Sequence, residues 1–180
     1  MTTNKGKNTL TGLVIAELQS DDPARVATAL AKIQEVGDKN LVYPLIQLFA
    51  STESRQTRDS VASLLGSLKI SDTEEHFMQA LRDDALKSHR KEILSFMWNS
   101  GLHPAEHLEE LTQLALDSSY EELLECLTLV ESLEGPFEEE HWLESVSLVK
   151  QFIEQHATDE RMPLLKEYMM VLQVLQQYVD

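Results

Sequence analysis

Cysteine is almost absent from this 180-residue sequence, which contains only Cys126. One thiol excludes a framework of disulfides within the chain and is typical of a reducing compartment. Long hydrophobic runs are absent too, since the run over residues 13–16 stops at Glu17 and is too short for a signal-peptide core. No segment approaches the roughly 20 apolar residues that span a membrane. The sequence therefore predicts a cytoplasmic protein that has no membrane partner.

Glycine and proline are scarce as well, at 6 and 5 residues, while 42% of the residues are hydrophobic. Because both residues interrupt helices, this composition favours a globular helical protein. A chain of this length can bury one sizeable core. We therefore expect a single all-α domain over residues 1–180.

Basic residues are the third shortage, and their distribution is uneven. The net charge is −16, with 11 Lys or Arg and 12 Asp or Glu in residues 1–90, against 4 and 19 in residues 91–180. The negative electrostatic field of such a chain repels phosphate backbones, which argues against nucleic-acid binding. It would speed the encounter with a basic partner, but it is also typical of a helical protein that only needs to stay in solution. Both readings stay open.

The best-defined segment runs over residues 22–49 and predicts two amphipathic helices joined by a turn. Asp21 or Asp22 supplies an N-cap carboxylate, and Pro23 suits the first helical position. Gly37 ends the first helix. Apolar side chains recur at helical spacing at Val26, Ala29, Leu30 and Ile33, and then at Leu41, Leu45, Leu48 and Phe49.

This segment resembles the HEAT-repeat pattern at Asp22-Pro23, Arg25-Val26, Ala29-Leu30, Ile33, Gly37-Asp38 and Leu45-Ile46. That pattern has an Asp-Pro start, a Val-Arg pair (here in reverse order), an Ala-Leu pair, a Gly turn and a paired-aliphatic second helix. A second copy places Val61, Leu65 and Leu68 over Val26, Leu30 and Ile33, with a period of 35 residues. The resemblance implies a right-handed α-α superhelix, a HEAT/ARM-like solenoid of about four helical hairpins with terminal capping helices.

The expected division is a flexible start over 1–7, a capping helix over 8–20, hairpins over 22–50, 54–81, 83–116 and 119–156, and a C-terminal helix over 159–180. A Ser-x-x-Glu capping box at Ser71 and Glu74 is expected to begin one of the helices. The C-terminal helix is apolar around most of its circumference. It either packs on two sides within the array or forms a homodimer through residues 160–180. A 20.5 kDa particle in light scattering would exclude the homodimer.

A partner-binding face is predicted on the second helices, which line the concave side of a hairpin solenoid. Its members are Tyr43, Gln47, Glu75, Met78, Gln79, Glu106, Glu109, Glu110, Gln113, Glu140 and Glu144. Tyr43 and Met78 are expected to act as apolar anchors. Glu109, Glu110 and Glu144 are expected to contribute charge. The alternative is an acidic face that is only solvated.

No catalytic constellation, cofactor site or metal site is predicted. His103 to His107 matches H-x-x-E-H, a zinc-protease pattern. However, Pro104 suits the first helical position, which makes His103 the cap of a helix and not a ligand. Cys126 lies on an apolar helix face, which predicts a buried, unreactive thiol.

The sequence therefore favours a non-enzymatic interaction scaffold or adaptor, whose acidic concave face binds a partner protein, with a basic segment as the favoured kind of partner. Two alternatives stay open. The first is a lyase or enzyme subunit of the HEAT-like bilin lyase kind, which would need an accessible polar cluster in the groove. The second is the homodimeric structural protein assembled through the C-terminal helix.

Overall fold

The computed structural model describes residues 3–20 and 22–180, without the side chains of residues 3–9, 34 and 36. The chain is all-α, as predicted, and its described residues contain no strand. It divides into two compact units, Met1–Leu102 and His103–Asp180, where the sequence predicted one domain. In the described part of the chain, no helix is both long and apolar enough to cross a membrane.

The first unit has six helices among its described residues. They are α1 (Thr3–Leu18), α2 (Pro23–Val36), α3 (Val42–Ser51), α4 (Arg55–Leu65), α5 (Glu74–Arg82) and α6 (Arg90–Ser100). The 3₁₀ turns Lys39–Leu41 and Asp84–His89 lead into α3 and α6. Helix α1 begins at Thr3, five residues before the predicted start of the capping helix at residue 8.

Local signals set both ends of α2. Asp22 is its N-cap and accepts a hydrogen bond from the backbone N–H of Ala24 at 2.9 Å, while Pro23 occupies the first helical position. Gly37 ends the helix with a φ of 55°, in the left-handed region that favours glycine, and its N–H donates to the carbonyl of Ile33. The predicted cap and turn are confirmed for Asp22 and Gly37. Asp21, the other predicted cap, lies outside the described residues.

The capping box is at a different place from the predicted one. Helix α5 begins at Glu74 with Thr73 as its N-cap and without a side-chain cap bond, so the prediction at Ser71 is wrong. The reciprocal pair occurs instead at Ser119 and Glu122, where each side chain accepts from the other residue's backbone N–H. The carbonyl of Thr73, which is fully buried, accepts from the N–H groups of His76 and Phe77, so the helix begins after Thr73 and Ser71 lies outside it.

Packing in the first unit follows a regular order. Of the helices that follow one another in the chain, α1 packs with α2, α3 with α4 and α5 with α6. In addition α1 packs on α3, α2 on α4, α3 on α5 and α4 on α6. The predicted hairpins over 22–50 and 54–81 pair α2 with α3 and α4 with α5 instead. The closely packed pairs are therefore offset by one helix from the predicted division.

The second unit has four helices. They are α7 (Leu108–Leu116), α8 (Tyr120–Glu131), α9 (Glu139–Gln155) and α10 (Met162–Leu175), with 3₁₀ turns at Ala105–His107 and Gln176–Tyr178. The same order of packing holds, since α7 packs with α8, α9 with α10, α7 with α9 and α8 with α10. Cys126 is fully buried in α8, which confirms the predicted burial of its thiol.

Two buried polar contacts fix α10 within this unit. The hydroxyl of Tyr168 lies 3.1 Å from Oγ1 of Thr112 on α7, and both side chains are buried. Burial raises the pKa of Tyr168 far above its ordinary value, so the phenol is neutral. The indole N–H of Trp142 donates at 2.8 Å to the carbonyl of Leu172, one of the last carbonyls of α10, which lack partners within the helix.

Arg161 precedes α10 and satisfies backbone carbonyls at the end of α7. Its guanidinium donates to the backbone carbonyls of Leu116 and Ser118, and lies 5.2 Å from the centre of the Phe152 ring. Two further bonds from Arg161 to the carboxylate lower the pKa of Asp159 to about 2. Arg161, the least exposed basic residue of this unit, is therefore fully used in contacts within the fold.

Helix α10 packs within its unit through one face, formed by Leu165, Tyr168, Leu172 and Leu175. Met170 and Val174 lie on the other side and are 50% and 61% exposed. The helix thus has an apolar face that its own unit leaves uncovered. The predicted homodimer through residues 160–180 stays a prediction.

The link between α8 and α9 pairs with the end of the chain. The N–H of Phe137 donates to the carbonyl of Tyr178 at 2.9 Å, and the N–H of Asp180 donates to the carbonyl of Phe137 at 3.1 Å. These bonds form an isolated parallel bridge between Phe137 and Val179. A Cβ at Gly135 would lie 2.5 Å from Cβ of Tyr178 and 2.7 Å from its carbonyl oxygen. Only glycine permits this approach.

Replacement of Gly135 by alanine should therefore destabilise the protein by about 1–3 kcal/mol, because the new methyl group meets backbone that cannot move without opening the bridge. The matched control is Gly12→Ala in α1, where a Cβ meets nothing within 4 Å. That change should stabilise by about 0.5–1 kcal/mol, since alanine is the better helix former. Urea unfolding followed by circular dichroism measures both, and an unchanged midpoint for Gly135→Ala would contradict the close approach.

Candidate functional site

Charge changes along the chain at the boundary between the two units. Residues 1–102 hold 12 Lys or Arg and 13 Asp or Glu, which nearly balance. Residues 103–180 hold 3 Lys or Arg and 18 Asp or Glu, a net charge of −15. We call residues 103–180 the acidic unit. A cationic ligand would be attracted to it over distances set by the ionic strength.

Many of these carboxylates lie at the N-terminal ends of helices. First-turn positions of α7, α8 and α9 hold Glu109, Glu110, Glu121, Glu122, Glu139 and Glu140. The helix dipole favours negative charge there, which offsets part of the repulsion among them. The sequence therefore concentrates carboxylates where the fold tolerates them best.

A cleft of about 430 Å³ opens beside the start of α9. Its lining residues are Ala105, Glu106, Pro136, Phe137, Glu138, Glu139, Glu140 and Asp180. Five of these eight residues are acidic and none is basic, while the exposed Pro136 supplies apolar surface and Phe137 is buried beneath the lining. We call this feature the acidic cleft. It suits a Lys or Arg side chain, whose aliphatic stem can lie on apolar surface while its charged end meets carboxylates.

The backbone bridge described above forms the acidic cleft. It holds Phe137 and Asp180 together, so the link before α9 and the end of the chain form adjoining walls. Ala105 and Glu106, on the 3₁₀ turn before α7, complete the lining. Three separate parts of the acidic unit therefore contribute carboxylates to one concave site.

His141 lies in the first turn of α9, directly after the cleft residue Glu140. Its Nδ1 is 3.0 Å from Oε2 of Glu109 on α7, and its Nε2 is 3.6 Å from Oε2 of Glu138, a residue of the cleft. The hydrogen bond to Glu109 raises the pKa of His141, and the nearby charges of Glu138, Glu109 and Glu140 act in the same direction against partial burial. The imidazole therefore joins the N-terminal ends of α7 and α9 most strongly when it is protonated.

Comparison of the chain with protein-family models, with curated proteins and with solved structures finds no match.

Six of the predicted partner-binding residues belong to the acidic unit. Glu106 and Glu140 line the acidic cleft, and Glu109 contacts His141 beside it. Glu110 pairs with His107 at 3.5 Å. The remaining two are exposed outside the cleft lining, Gln113 on α7 and Glu144 on α9.

The other five predicted residues belong to the first unit, and only some are accessible. Met78 is 1% exposed, so its predicted role as an exposed anchor is wrong. Tyr43 is half-buried, and its hydroxyl donates to Oδ2 of Asp83 at 2.6 Å. This bond raises the pKa of Tyr43 and lowers that of Asp83. The exposed members are Gln47, Glu75 and Gln79.

Gln47 lines a different cleft, of about 510 Å³, between the end of α1 and the starts of α2 and α4. Hydroxyl-bearing and apolar residues dominate its lining, and Glu53 is the only charged member. Glu75 forms an ion pair with Arg82 at 2.7 Å. The first unit therefore offers no acidic surface like that of the second at its predicted residues.

Several residues of the cleft were not predicted, namely Phe137, Glu138, Glu139 and Asp180, and neither was His141. The run of three glutamates and a histidine directly after the Gly135-Pro136 break is a signal for most of them. Asp180 has no such signal, because only tertiary pairing brings it to Phe137.

The H-x-x-E-H segment is not a zinc-binding helix. A 3₁₀ turn covers Ala105–His107 with Pro104 as its N-cap, and α7 begins only at Leu108. The predicted helix start at Pro104 with His103 as cap is therefore wrong by several residues. Among the described residues, no three His, Cys, Asp or Glu side chains are grouped so that they could hold a metal ion.

The His141 contacts predict a pH-dependent contribution to stability. Because its pKa is raised in the folded chain, the contribution is fully present below the unfolded value near 6.5 and is lost as pH rises through the folded value. NMR titration of the His141 ring should give a midpoint above 6.5, and Glu109→Gln should lower it. Glu154→Gln is the matched control, since residue 154 lies about 20 Å further along α9. Equal effects of the two substitutions would contradict the assigned contact.

Proposed function

We propose that the chain is a non-enzymatic interaction module of HEAT-like helical repeats, and that its acidic unit binds a basic segment of a partner protein. The order of helix packing supports the repeat architecture. In each unit, taken by itself, consecutive helices pack in pairs, and each pair packs on the next because helices two positions apart in the chain are in contact. Nearest-neighbour packing of this kind is typical of helical solenoids. The lyase alternative has no arrangement of described side chains in its favour and stays a prediction.

The acidic cleft is the observation that carries the binding proposal. It combines five acidic residues, apolar surface from Pro136 and the absence of a basic residue among those that line it. In the described part of the chain, no Lys or Arg pairs with a cleft carboxylate. The His141 imidazole is the one cationic group paired with a cleft carboxylate in that part of the chain. A Lys or Arg side chain of a partner could therefore form ion pairs with the other carboxylates.

The charge of the acidic unit explains why the partner should be basic. A net charge of −15 steers cations towards this unit and disfavours an acidic or phosphate-rich ligand. Because solvent-exposed charges are screened, such binding should weaken as salt is added. Pro136 would add apolar contact with the stems of long basic side chains.

The test uses a hexa-arginine peptide, acetylated and amidated, as the probe for the full chain at pH 8 and low ionic strength. The triple change Glu138→Gln, Glu139→Gln and Glu140→Gln should weaken binding at least about tenfold, because direct ion pairs are lost at about 1 kcal/mol each in water. Isothermal titration calorimetry measures the dissociation constant, and circular dichroism checks that each variant is folded.

The matched control removes the same charge from the acidic unit but away from the cleft, through Glu154→Gln, Glu160→Gln and Glu167→Gln, all at exposed positions. Its effect should be less than about threefold, since only screened long-range attraction is lost. If both triple variants weaken binding equally, the peptide responds to net charge alone and the cleft is not the site.

A further inference from the structure

His141 occupies a position in which it can compete with a bound cation. Its Nε2 lies 3.6 Å from Oε2 of Glu138, which lines the acidic cleft, and its Nδ1 lies 3.0 Å from Oε2 of Glu109. The side chain is 38% exposed, so it titrates with the solvent. Among the residues that the structure describes, a protonated His141 is the one cation within 4 Å of a cleft carboxylate.

The groups around His141 are nearly all acidic. Helix α7 contributes Glu109, and the start of α9 contributes Glu138 and Glu140. Asp180, at the end of the chain, lines the adjoining cleft. Where α10 packs against the start of α9, the contact is neutral, from the Trp142 indole to a backbone carbonyl. His107, on the 3₁₀ turn before α7, pairs with Glu110 at 3.5 Å and is the other imidazole to be distinguished.

We propose that His141 makes the acidic cleft pH-dependent: protonated, it holds Glu138 and Glu109 and weakens the binding of a basic partner segment, and neutral, it releases them. This inference rests on the proposed function of the cleft. The affinity for a basic segment should therefore increase as pH rises from 6 to 8. The mechanism is competition between two cations for one carboxylate, with the imidazolium already in place.

The same competition has a reciprocal consequence. If a protonated His141 weakens binding, then a bound cation must lower the pKa of His141 by the same coupling free energy. In the chain without ligand, the pKa of His141 is raised because its imidazolium already contacts Glu109 and Glu138. A purely structural imidazole, with no connection to the cleft, would titrate alike with and without ligand.

The test measures the dissociation constant of the hexa-arginine peptide at pH 6 and pH 8, since arginine keeps its charge at both values. For the wild-type chain, binding should be about fivefold weaker at pH 6, the effect of one added charge at contact distance in water. His141→Gln should bind equally at both values. The matched control His107→Gln should retain the fivefold difference. In parallel, saturating peptide should lower the NMR titration midpoint of the His141 ring.

The outcomes separate this inference from the proposed function. Binding at pH 8 that is equally tight at pH 6 would overturn the role of His141 and leave the cleft as the site. Loss of the difference in His107→Gln, with its retention in His141→Gln, would also overturn that role. Absence of binding to the wild-type chain at pH 8 would overturn both proposals.

Discussion

Mutual repulsion among 18 acidic residues, against only 3 Lys or Arg, is the constraint that shapes residues 103–180. Carboxylates in the first turns of α7, α8 and α9 are stabilised by the helix dipoles. Arg161 is engaged with Asp159 and with two backbone carbonyls, away from the cleft. His141 alone links carboxylates of α7 and α9, and it does so only to the extent that it is protonated. What remains is a concave group of acidic residues without a basic residue among them.

The cleft exists because neutral interactions hold the acidic unit together in spite of that repulsion. Buried apolar stripes and the contact between Tyr168 and Thr112 fix α10 against α7. The indole of Trp142 satisfies the end of α10, and the backbone bridge at Phe137 then fixes the end of the chain. Each of these contacts is uncharged and therefore insensitive to salt. The fold can thus tolerate a field that favours a basic ligand.

Local signals in the sequence predicted the ends of α2 well, because caps and breaks such as Asp22 and Gly37 act within a few residues. They did not predict the cleft, which depends on the bridge between Phe137 and Val179, two residues far apart in the sequence. Periodicity also misplaced Met78, because Phe77 and Met78 are adjacent apolar residues of α5 and both are buried. The predicted pairing of helices was offset by one, since stripes show which face is buried but not which neighbour covers it.

The central claim is that a basic ligand binds at one place, the acidic cleft, and does not simply accumulate around a charged unit. Amide chemical-shift mapping of the full chain with the hexa-arginine peptide at pH 8 tests it most directly. The account predicts that the largest shifts fall in residues 105–110 and 136–141 and at Asp180, the parts of the chain that meet at the cleft. Shifts of similar size along α8 and the outer face of α10, or shifts centred in residues 1–102, would contradict it.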